Sequence, residues 1–300
     1  MKLTLDVGGS KTRGFLYAEN RREQFEIQGG FGKAEDADEI EYGLFSALKT
    51  LLGENAEKIT AAAVNLGGKN KAQIFQTLSA LFPASRVVVY RESEGILAQR
   101  ILQAHNANVL VMAGTGCILF TTSAQGSRVL GGWGKDYGDE GSGYSIGMKA
   151  VRYCLKELDS GKEKTSLLTQ ALFAQDAPFQ FRELSEYAAA RDAARSKIPK
   201  TREGVAALTK TVALCAARGC ALSKRIFQET GEELAELVLT AIRAAQIQTP
   251  SVVVNGGVTN AYELWKDGFF APFEQAKKAV SVACIQDGID QALEQIVKEI

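Results

Sequence analysis

The chain has 300 residues, of which 46% are hydrophobic, and its 35 basic residues balance its 35 acidic ones. Because this length exceeds what one hydrophobic core usually serves, we expect two domains, or one domain with a deep cleft. The balanced charge argues against nucleic acid or an anionic membrane as the partner. The sequence contains no signal peptide and no apolar run of about 18 residues, which predicts a cytoplasmic protein.

The cysteines and the histidine narrow the chemistry further. The five cysteines include no CxxC pair, and His105 is the single histidine, so a zinc site of Cys and His lacks ligands. A Ser-His-Asp or Cys-His hydrolase would have to use His105, which lies at the predicted end of a helix. We therefore interpret the cysteines as buried free thiols.

The first hundred residues predict a sheet whose first three strands are antiparallel neighbours. Strand-like runs separated by short turns occur at 2–7, 12–17 and 24–28. Helical spacing of apolar residues follows over 39–52. Two further strand-like runs occur at 59–65 and 86–90, and a helical pattern over 93–103 follows the second. The predicted order is βββαβαβα.

The second half begins with the same plan. The pattern predicts strands at 108–113, 117–122, 127–130, 251–255 and 280–285, and helices at 144–158 and 288–297. The segment 165–245 has no strand signals, which indicates helices inserted into the second copy. Two copies of one plan predict two lobes around one cleft. We assign 1–107 with the C-terminal helix 286–300 to the first lobe, and 108–285, with an insertion at about 160–245, to the second.

Glycine-bearing turns follow the strands in both halves. The first turn runs from Asp6 through Gly8, Gly9 and Ser10 to Thr12. Glycine lets backbone N–H groups approach a phosphate, and the Asp6 carboxylate could hold Mg²⁺ directly or through water. Gly114-Thr115-Gly116 is the equivalent turn in the second half, and Gly256-Gly257 follows the strand at 251–254.

A fourth segment, 131–144, is too rich in glycine for ordinary secondary structure. Each turn taken alone is more often a hairpin device than a binding site. Their combination at matching places in two halves favours phosphate binding.

These motifs resemble the actin-like ATPase superfamily, which includes sugar kinases, and within it the BadF/BadG/BcrA/BcrD group that contains N-acetylglucosamine kinase. The resemblance covers nearly the whole chain. Its carriers are LDVGGSKTRGFLY, VLVMAGTGCILF, GGWGKDYGDEGSGYSIG, SVVVNGGV and DGIDQAL. The most specific is the Gly-Gly-Trp-Gly stretch followed by Gly-Asp-Glu-Gly-Ser.

The resemblance implies an α/β protein of two actin-like ATPase (ribonuclease H-like) lobes. It also implies an ATP-dependent kinase of an amino sugar, N-acetylglucosamine or glucosamine, that uses ATP and Mg²⁺. Asp6 would stand beside the magnesium ion, Trp133 and Gly134 would line the sugar pocket, and Asp139 would accept hydrogen bonds from sugar hydroxyls. The implied nucleotide-binding residues are Gly8, Gly9, Ser10 and Thr12 at the first phosphate turn, Gly114, Thr115 and Gly116 at the second, and Gly256 and Gly257 at the adenosine segment.

The chain departs from the family pattern at two places. Where the family usually has Asn-Asp-Ala-x-Ala, this chain has Arg-Glu-Ser-Glu-Gly at 91–95, so Glu92 aligns with the proton-accepting Asp. Its carboxylate extends one methylene further, and a displacement on the order of 1 Å can cost about 10²-fold in rate. Glu94 is the rival carboxylate. At Gly30-Phe31-Gly32-Lys33, Lys33 replaces a sugar-contacting Asn; it either meets an anionic substituent, as on a muramic-type sugar, or faces water.

Two other functions stay open. A non-catalytic sugar or nucleotide sensor would keep the cleft and lack a working base. An ATPase activator of a dehydratase would need a cysteine just before the second turn, where this chain has Val111-Met112. We expect a small-molecule sugar and ATP as partners, neither nucleic acid nor membrane, and leave assembly into a homodimer open.

Overall fold

A computed structural model describes residues 1–8, 11–19, 21–29, 43–67, 70–83, 85–160, 164–174, 179–180 and 183–300. The first of its two five-stranded sheets has the order β3-β2-β1-β4-β5. Its strands are β1 (Lys2–Val7), β2 (Lys11–Ala18), β3 (Arg21–Gln28), β4 (Ala61–Leu66) and β5 (Arg86–Arg91). β1 pairs antiparallel with β2 and parallel with β4, which pairs parallel with β5. Every residue of β4 is buried, as expected for a parallel strand covered on both faces.

The second sheet has the equivalent order, β10-β9-β6-β7-β8. Its strands are β6 (Val109–Ala113), β7 (Cys117–Ser123), β8 (Gly126–Gly131), β9 (Ser251–Asn255) and β10 (Ser281–Ile285). β6 pairs antiparallel with β7 and parallel with β9, as β1 does with β2 and β4. The α/β class and the repeated strand plan predicted from the sequence are confirmed.

Two helices connect strands of the first sheet, and a third follows its last strand, β5. They are α1 (Phe45–Leu52), α2 (Lys71–Leu81) and α3 (Ile96–Ala104). In α3 the buried residues Leu97, Ala98, Ile101 and Leu102 recur at the spacing of one helix face, which packs inward. Residues 39–42 of the helix predicted over 39–52 lie outside the described residues. The helix predicted over 93–103 starts at Ile96. Residues Glu92–Glu94 form a 3₁₀ turn, and Gly95 separates this turn from α3.

The helices of the second half are α4 (Gly143–Leu158), α5 (Leu167–Phe173), α6 (Leu184–Ser196), α7 (Arg202–Ala207), α8 (Thr209–Ala217), α9 (Ala221–Ala244) and α10 (Tyr262–Gln275). The 24-residue α9 contacts β6, β7 and β8 and packs against α10. It therefore covers the sheet although it lies inside the range predicted as an insertion. The last helix, α11 (Gly288–Glu299), contacts β1, β4 and α3 instead.

The chain divides into two compact units. The N-terminal unit comprises Met1–His105 with Asp287–Ile300, and the C-terminal unit comprises Asn106–Gln286. Each unit has its own cluster of buried apolar side chains, centred on its sheet. In the described part of the chain no helix is long and apolar enough to cross a membrane.

Candidate functional site

The parallel strands of the N-terminal unit bring polar side chains together at their carboxyl ends, where α/β sheets usually bind ligands. The register places Asp6 of β1 opposite Asn65 of β4. The Asn65 amide donates a hydrogen bond from Nδ2 to Oδ1 of Asp6 at 2.8 Å. Asn65 is a buried polar residue in an otherwise apolar strand that is followed by Gly67, and this pattern was the signal that sequence reasoning missed.

Arg13 and Asp290 complete this cluster from β2 and α11. Nη2 of Arg13 lies 2.8 Å from Oδ2 of Asp290 but 3.9 Å from Oδ2 of Asp6. Burial raises the pKa of Asp290 to about 6 and also raises the pKa of Asp6. Arg13 lies closer to Asp290, so its ion pair with the Asp6 carboxylate is the longer of the two. A further positive charge at Asp6 would be favourable.

The residues around Asp6 fit a magnesium ion. Mg²⁺ is usually bound through one or two carboxylates, several waters and the substrate's phosphates. Asp6 supplies one carboxylate, and the neighbouring Oδ1 of Asn65 is a buried oxygen with no hydrogen-bond partner in the described part of the chain. Within those residues, no cluster of three or more His, Cys, Asp or Glu forms a metal cage.

Glu92 follows directly after β5, one residue beyond Arg91, which pairs with Leu66 of β4. Since strands in a sheet lie about 4.8 Å apart, β1 and β5 are about 10 Å apart across β4. Asp6 and Glu92 thus lie near the same edge of one sheet. Glu92 starts a 3₁₀ turn and does not belong to α3.

Glu94, the rival carboxylate, is engaged by two cations. Its oxygens accept hydrogen bonds from Nζ of Lys71 at 2.9 and 3.0 Å, and from Nε and the backbone N–H of Arg91 at 3.4 Å. The Lys71 ammonium holds the pKa of Glu94 below its ordinary value. A lowered pKa makes a weaker proton acceptor, so the arrangement disfavours Glu94 as the base.

The first glycine turn is described in part. The Gly8 N–H donates to the carbonyl of Lys11 at 3.0 Å, closing the turn between β1 and β2. Gly9 and Ser10 lie outside the described residues, as does the segment Gly30 to Lys33. Thr12 is fully buried, and its hydroxyl has no hydrogen-bond partner in the described part of the chain. The phosphate role predicted for this turn stays a prediction.

The second and third turns meet in the C-terminal unit. They follow β6 and β9, which are neighbours in the sheet. Gly256 has φ +117°, and a Cβ there would lie 2.6 Å from the carbonyl oxygen of Ala113, so only glycine allows this contact. The first residues of α4 hold the second turn, because Gly143 N–H donates to Gly114 O at 2.8 Å and Tyr144 N–H donates to Thr115 O at 3.2 Å.

Gly114 and Gly257 leave bare backbone at these turns. A Cβ added at either residue would meet no atom within 4 Å, and neither residue has the left-handed backbone that favours glycine. Neither packing nor backbone conformation therefore requires glycine at these two places. Both positions fit a ligand that approaches the backbone closely, as the phosphates and adenosine of ATP do.

The glycine-rich segment connects β8 to α4 and carries the predicted sugar-binding residues. Trp133 is 76% exposed, and Gly134 adopts φ +86° in the turn that follows it. The end of the segment is held by Glu233 of α9, whose Oε2 accepts from the Gly141 N–H at 2.9 Å and from the Ser145 hydroxyl at 3.1 Å. The exposed indole is available for a sugar face, and this role stays a prediction.

Asp139 is buried, and each of its two carboxylate oxygens accepts a hydrogen bond from another residue. It is 2% exposed; Oδ1 accepts the Cys117 N–H at 3.1 Å, and Oδ2 accepts a hydrogen bond from Nη2 of Arg202. The predicted contact with sugar hydroxyls stays a prediction, and in this structure the carboxylate serves protein groups. Sequence reasoning missed Arg202, because no local pattern joins residues that are 63 positions apart.

Known proteins share features of both sequence and fold with this chain. A sequence model of the BadF/BadG/BcrA/BcrD ATPase family matches residues 3–268. The N-acetylmuramic acid/N-acetylglucosamine kinase of Clostridium acetobutylicum is 31% identical over 226 residues, which cover 73% of this chain and 70% of that protein. The N-acetyl-D-glucosamine kinase of Dictyostelium discoideum is 28% identical over 185 residues, which cover 56% of this chain and 58% of that protein.

Solved structures extend the likeness to the fold. A Porphyromonas gingivalis protein assigned as an N-acetylglucosamine kinase aligns over 99% of both chains, with a TM-score of 0.72 and 18% identity. A ROK family glucokinase from Streptomyces griseus, solved with glucose and AMPPNP, aligns over 99% of this chain and 98% of its own, with a TM-score of 0.58 and 15% identity. At these identities the likeness concerns the fold alone, and it matches the predicted actin-like plan.

Proposed function

The chain belongs to the BadF/BadG/BcrA/BcrD ATPase family, and we propose that it is an ATP-dependent kinase of an amino sugar, N-acetylglucosamine or glucosamine. The observation that carries this proposal is the position of Glu92 and Asp6 near the same carboxyl edge of β1, β4 and β5. In this proposal Glu92 accepts a proton and Asp6 would hold Mg²⁺, as phosphoryl transfer to a hydroxyl requires. Two relatives that bear N-acetylglucosamine kinase names support the sugar class.

In this proposal the glycine turns hold the nucleotide. Backbone N–H groups at the second turn, Gly114-Thr115-Gly116, contact phosphate oxygens. The first turn, Gly8-Gly9-Ser10, keeps its predicted role as a phosphate turn of the N-terminal unit. The bare backbone at Gly256-Gly257 lies against adenosine. Because Gly114 and Gly257 have no Cβ atom, a phosphate or an adenosine group can approach the backbone closely at these two residues.

The metal would be held by Asp6, with Asn65 orienting its carboxylate. A bound Mg²⁺ supplies positive charge that neutralises the phosphate oxygens during transfer. Arg13, fixed by Asp290 at 2.8 Å, adds a second positive charge near the same carboxylate without occupying it.

Glu92 acts as the general base. Its carboxylate takes the proton from a sugar hydroxyl, the hydroxyl oxygen forms a bond to the γ-phosphorus, and the bond from that phosphorus to the β–γ bridging oxygen breaks. ADP and the sugar phosphate leave, and Glu92 returns its proton to water. Trp133 and Gly134 line the sugar pocket, and the Asp139 oxygens, which already accept from Cys117 and Arg202, also accept from sugar hydroxyls.

The direct test is an assay of the purified protein with ATP, Mg²⁺ and one sugar at a time. The sugars are N-acetylglucosamine, glucosamine, N-acetylmuramic acid and glucose. We expect sugar-dependent ADP release, with the phosphorylated amino sugar identified by mass spectrometry and ³¹P NMR. Glucose is the matched sugar that lacks the amino group. Release of ADP at an equal rate with and without every sugar would contradict the kinase proposal.

A sugar or nucleotide sensor is the competing function, because Glu92 replaces the usual Asp. It would bind an amino sugar in calorimetry and release no ADP. The dehydratase-activator function is disfavoured, since Met112 and Val111 stand where the cluster-binding cysteine would be needed.

The finer assignments belong to the same proposal. We assign the enzyme to the cytoplasm, where ATP is available, and retain 1–107 with 286–300 and 108–285 as its functional lobes. Neither nucleic acid nor membrane is a proposed partner. Assembly into a homodimer stays open, and light scattering coupled to gel filtration measures it directly.

A further inference from the structure

The side chain of Arg202 lies directly on the second glycine turn. A Cβ built on Gly116 would collide with Nη2 of Arg202 and would lie 3.2 Å from its Cζ. Gly116 does not have a left-handed backbone, so conformation alone does not require glycine there. Glycine at 116 therefore leaves room for a guanidinium group in contact with the turn.

Two elements hold this guanidinium in place. Arg202 is the first residue of α7, whose start is capped by the Thr201 hydroxyl accepting from Gly204 N–H at 3.0 Å. Asp139 adopts φ +65°, and it bridges the Arg202 side chain to the Cys117 N–H at the start of β7. The second turn, the aspartate and the arginine thus form one connected unit.

The guanidinium has hydrogen-bonding capacity left. It carries five N–H donors, of which Asp139 takes one through Nη2. Its Nε is buried and has no hydrogen-bond partner in the described part of the chain, while the side chain as a whole is 24% exposed. A cation so placed, partly exposed and only partly bonded, suits an oxyanion, and guanidinium groups bind phosphate in a two-pronged geometry.

We propose that Arg202 is a further nucleotide-binding residue, which donates hydrogen bonds to a phosphate of ATP held at Gly114-Thr115-Gly116, with Asp139 orienting it. This inference rests on the proposed kinase function. It gives the Gly-Asp-Glu-Gly-Ser segment a second role, because Asp139 of this segment orients the guanidinium group of Arg202 at the start of α7.

Calorimetric titration of ATP, AMP and adenosine into the unmodified protein and Arg202→Met tests this assignment. We expect Arg202→Met to lower the affinity for ATP by about 10- to 100-fold, since hydrogen bonds to charged groups are worth about 1.5–3 kcal/mol. Affinity for adenosine should change less than about twofold. Arg202→Lys should fall between, because lysine keeps the charge and loses the fork. Arg218→Met is the control, since Arg218 is an exposed arginine of the same unit.

Removing Arg202 alone leaves the buried Asp139 unpaired, which could unfold the protein. The pair Asp139→Asn and Asp139→Asn/Arg202→Met avoids this problem, because asparagine is neutral, tolerates a positive φ and still accepts from Cys117. The double variant should bind ATP at least tenfold more weakly than the unmodified protein, with a melting temperature equal to that of Asp139→Asn.

An ATP affinity equal to that of the unmodified protein, in Arg202→Met or in the double variant, would overturn the inference and leave the kinase proposal standing. An equal loss for ATP and adenosine would also overturn it, by showing a structural effect. So would a loss confined to N-acetylmuramic acid, because the oxyanion would then be a sugar carboxylate. If the unmodified protein binds neither ATP nor adenosine, the proposed function fails together with this inference.

Discussion

The ends of β1 and β4 in the N-terminal unit are equivalent to the ends of β6 and β9 in the C-terminal unit, yet they carry different chemistry. In the first pair Asp6 lies opposite Asn65, and in the second Met112 lies opposite Asn255. Each asparagine donates to its neighbour: Asn65 to a carboxylate oxygen at 2.8 Å, and Asn255 to the Met112 sulfur at 3.6 Å. One framework thus holds a carboxylate in one unit and a thioether in the other.

The difference indicates that the two units have different roles in the proposed reaction. A carboxylate can bind Mg²⁺, whereas a thioether prefers soft metals. The N-terminal unit also provides Glu92 at the neighbouring strand end. The C-terminal unit offers bare backbone at Gly114 and Gly257. We therefore expect substitutions in the N-terminal unit to lower kcat, and substitutions at the C-terminal glycines to lower nucleotide affinity.

The largest expected effect is at Glu92. Glu92→Gln should lower kcat by about 10²- to 10⁴-fold and leave sugar binding near normal, because lost proton acceptance acts on the transition state. Glu92→Asp should retain or raise activity. Steady-state kinetics with sugar titrations measures both.

The control for Glu92 is Glu94→Gln, which removes the carboxylate that Lys71 already engages. We expect it to change kcat by less than about tenfold. Full kinase activity in Glu92→Gln would remove Glu92 from the mechanism, and the proton would have to leave by another route.

Asp6→Asn should lower kcat on the order of 10²-fold, because a metal contributes several kcal/mol to phosphoryl transfer. The Mg²⁺ concentration at half-maximal rate should rise as well, which a magnesium titration at saturating ATP and sugar measures. An unchanged rate and magnesium dependence would place the metal elsewhere.

Gly114→Val should weaken ATP binding by about 10- to 10²-fold with little loss of stability, since its Cβ enters open space where a phosphate would lie. Gly126→Val, at the turn between β7 and β8, is the matched control. Gly126 is equally open but has φ +104°, so valine there should destabilise the fold and leave ATP affinity unchanged. If Gly114→Val bound ATP as tightly as Gly126→Val does, the second turn would be a hairpin with no role in nucleotide binding.

The smallest expected effect concerns pH. Burial raises the pKa of Asp290 to about 6, so between pH 4 and pH 6 the folded protein binds protons more readily than the unfolded chain. The free energy of unfolding should therefore fall as pH rises through this window, by at most about 1.4 kcal/mol per pH unit for one group. Asp6 adds a slope of the same sign.

Urea unfolding of the metal-free protein at several pH values measures this slope, and Asp290→Asn should flatten it. An identical slope in the variant would show that Arg13 keeps Asp290 charged throughout.

Local pattern was enough to predict most strands and the position of the glycine turns. The alternation and burial of short apolar runs is a property of neighbouring residues, and β1, β6 and β9 occur where the pattern predicted them. The family motifs, each a short run of adjacent residues, also led to the predictions for Asp6 and the turn glycines, and Glu92 was predicted where the chain departs from its motif; these roles stay predictions. The start of α3 was wrong by a few residues, because Gly95 with φ +72° separates the 3₁₀ turn from the helix.

By itself, then, the sequence determined the class of fold, the repeated strand order and the family. Only the tertiary structure decided that α9 covers the second sheet, that α11 packs in the N-terminal unit, and that Asp139 pairs with Arg202. The physical reason is distance along the chain. Asp6 and Asn65 are 59 positions apart and Asp139 and Arg202 are 63, so these contacts depend on how strands and helices pack, which no local periodicity records.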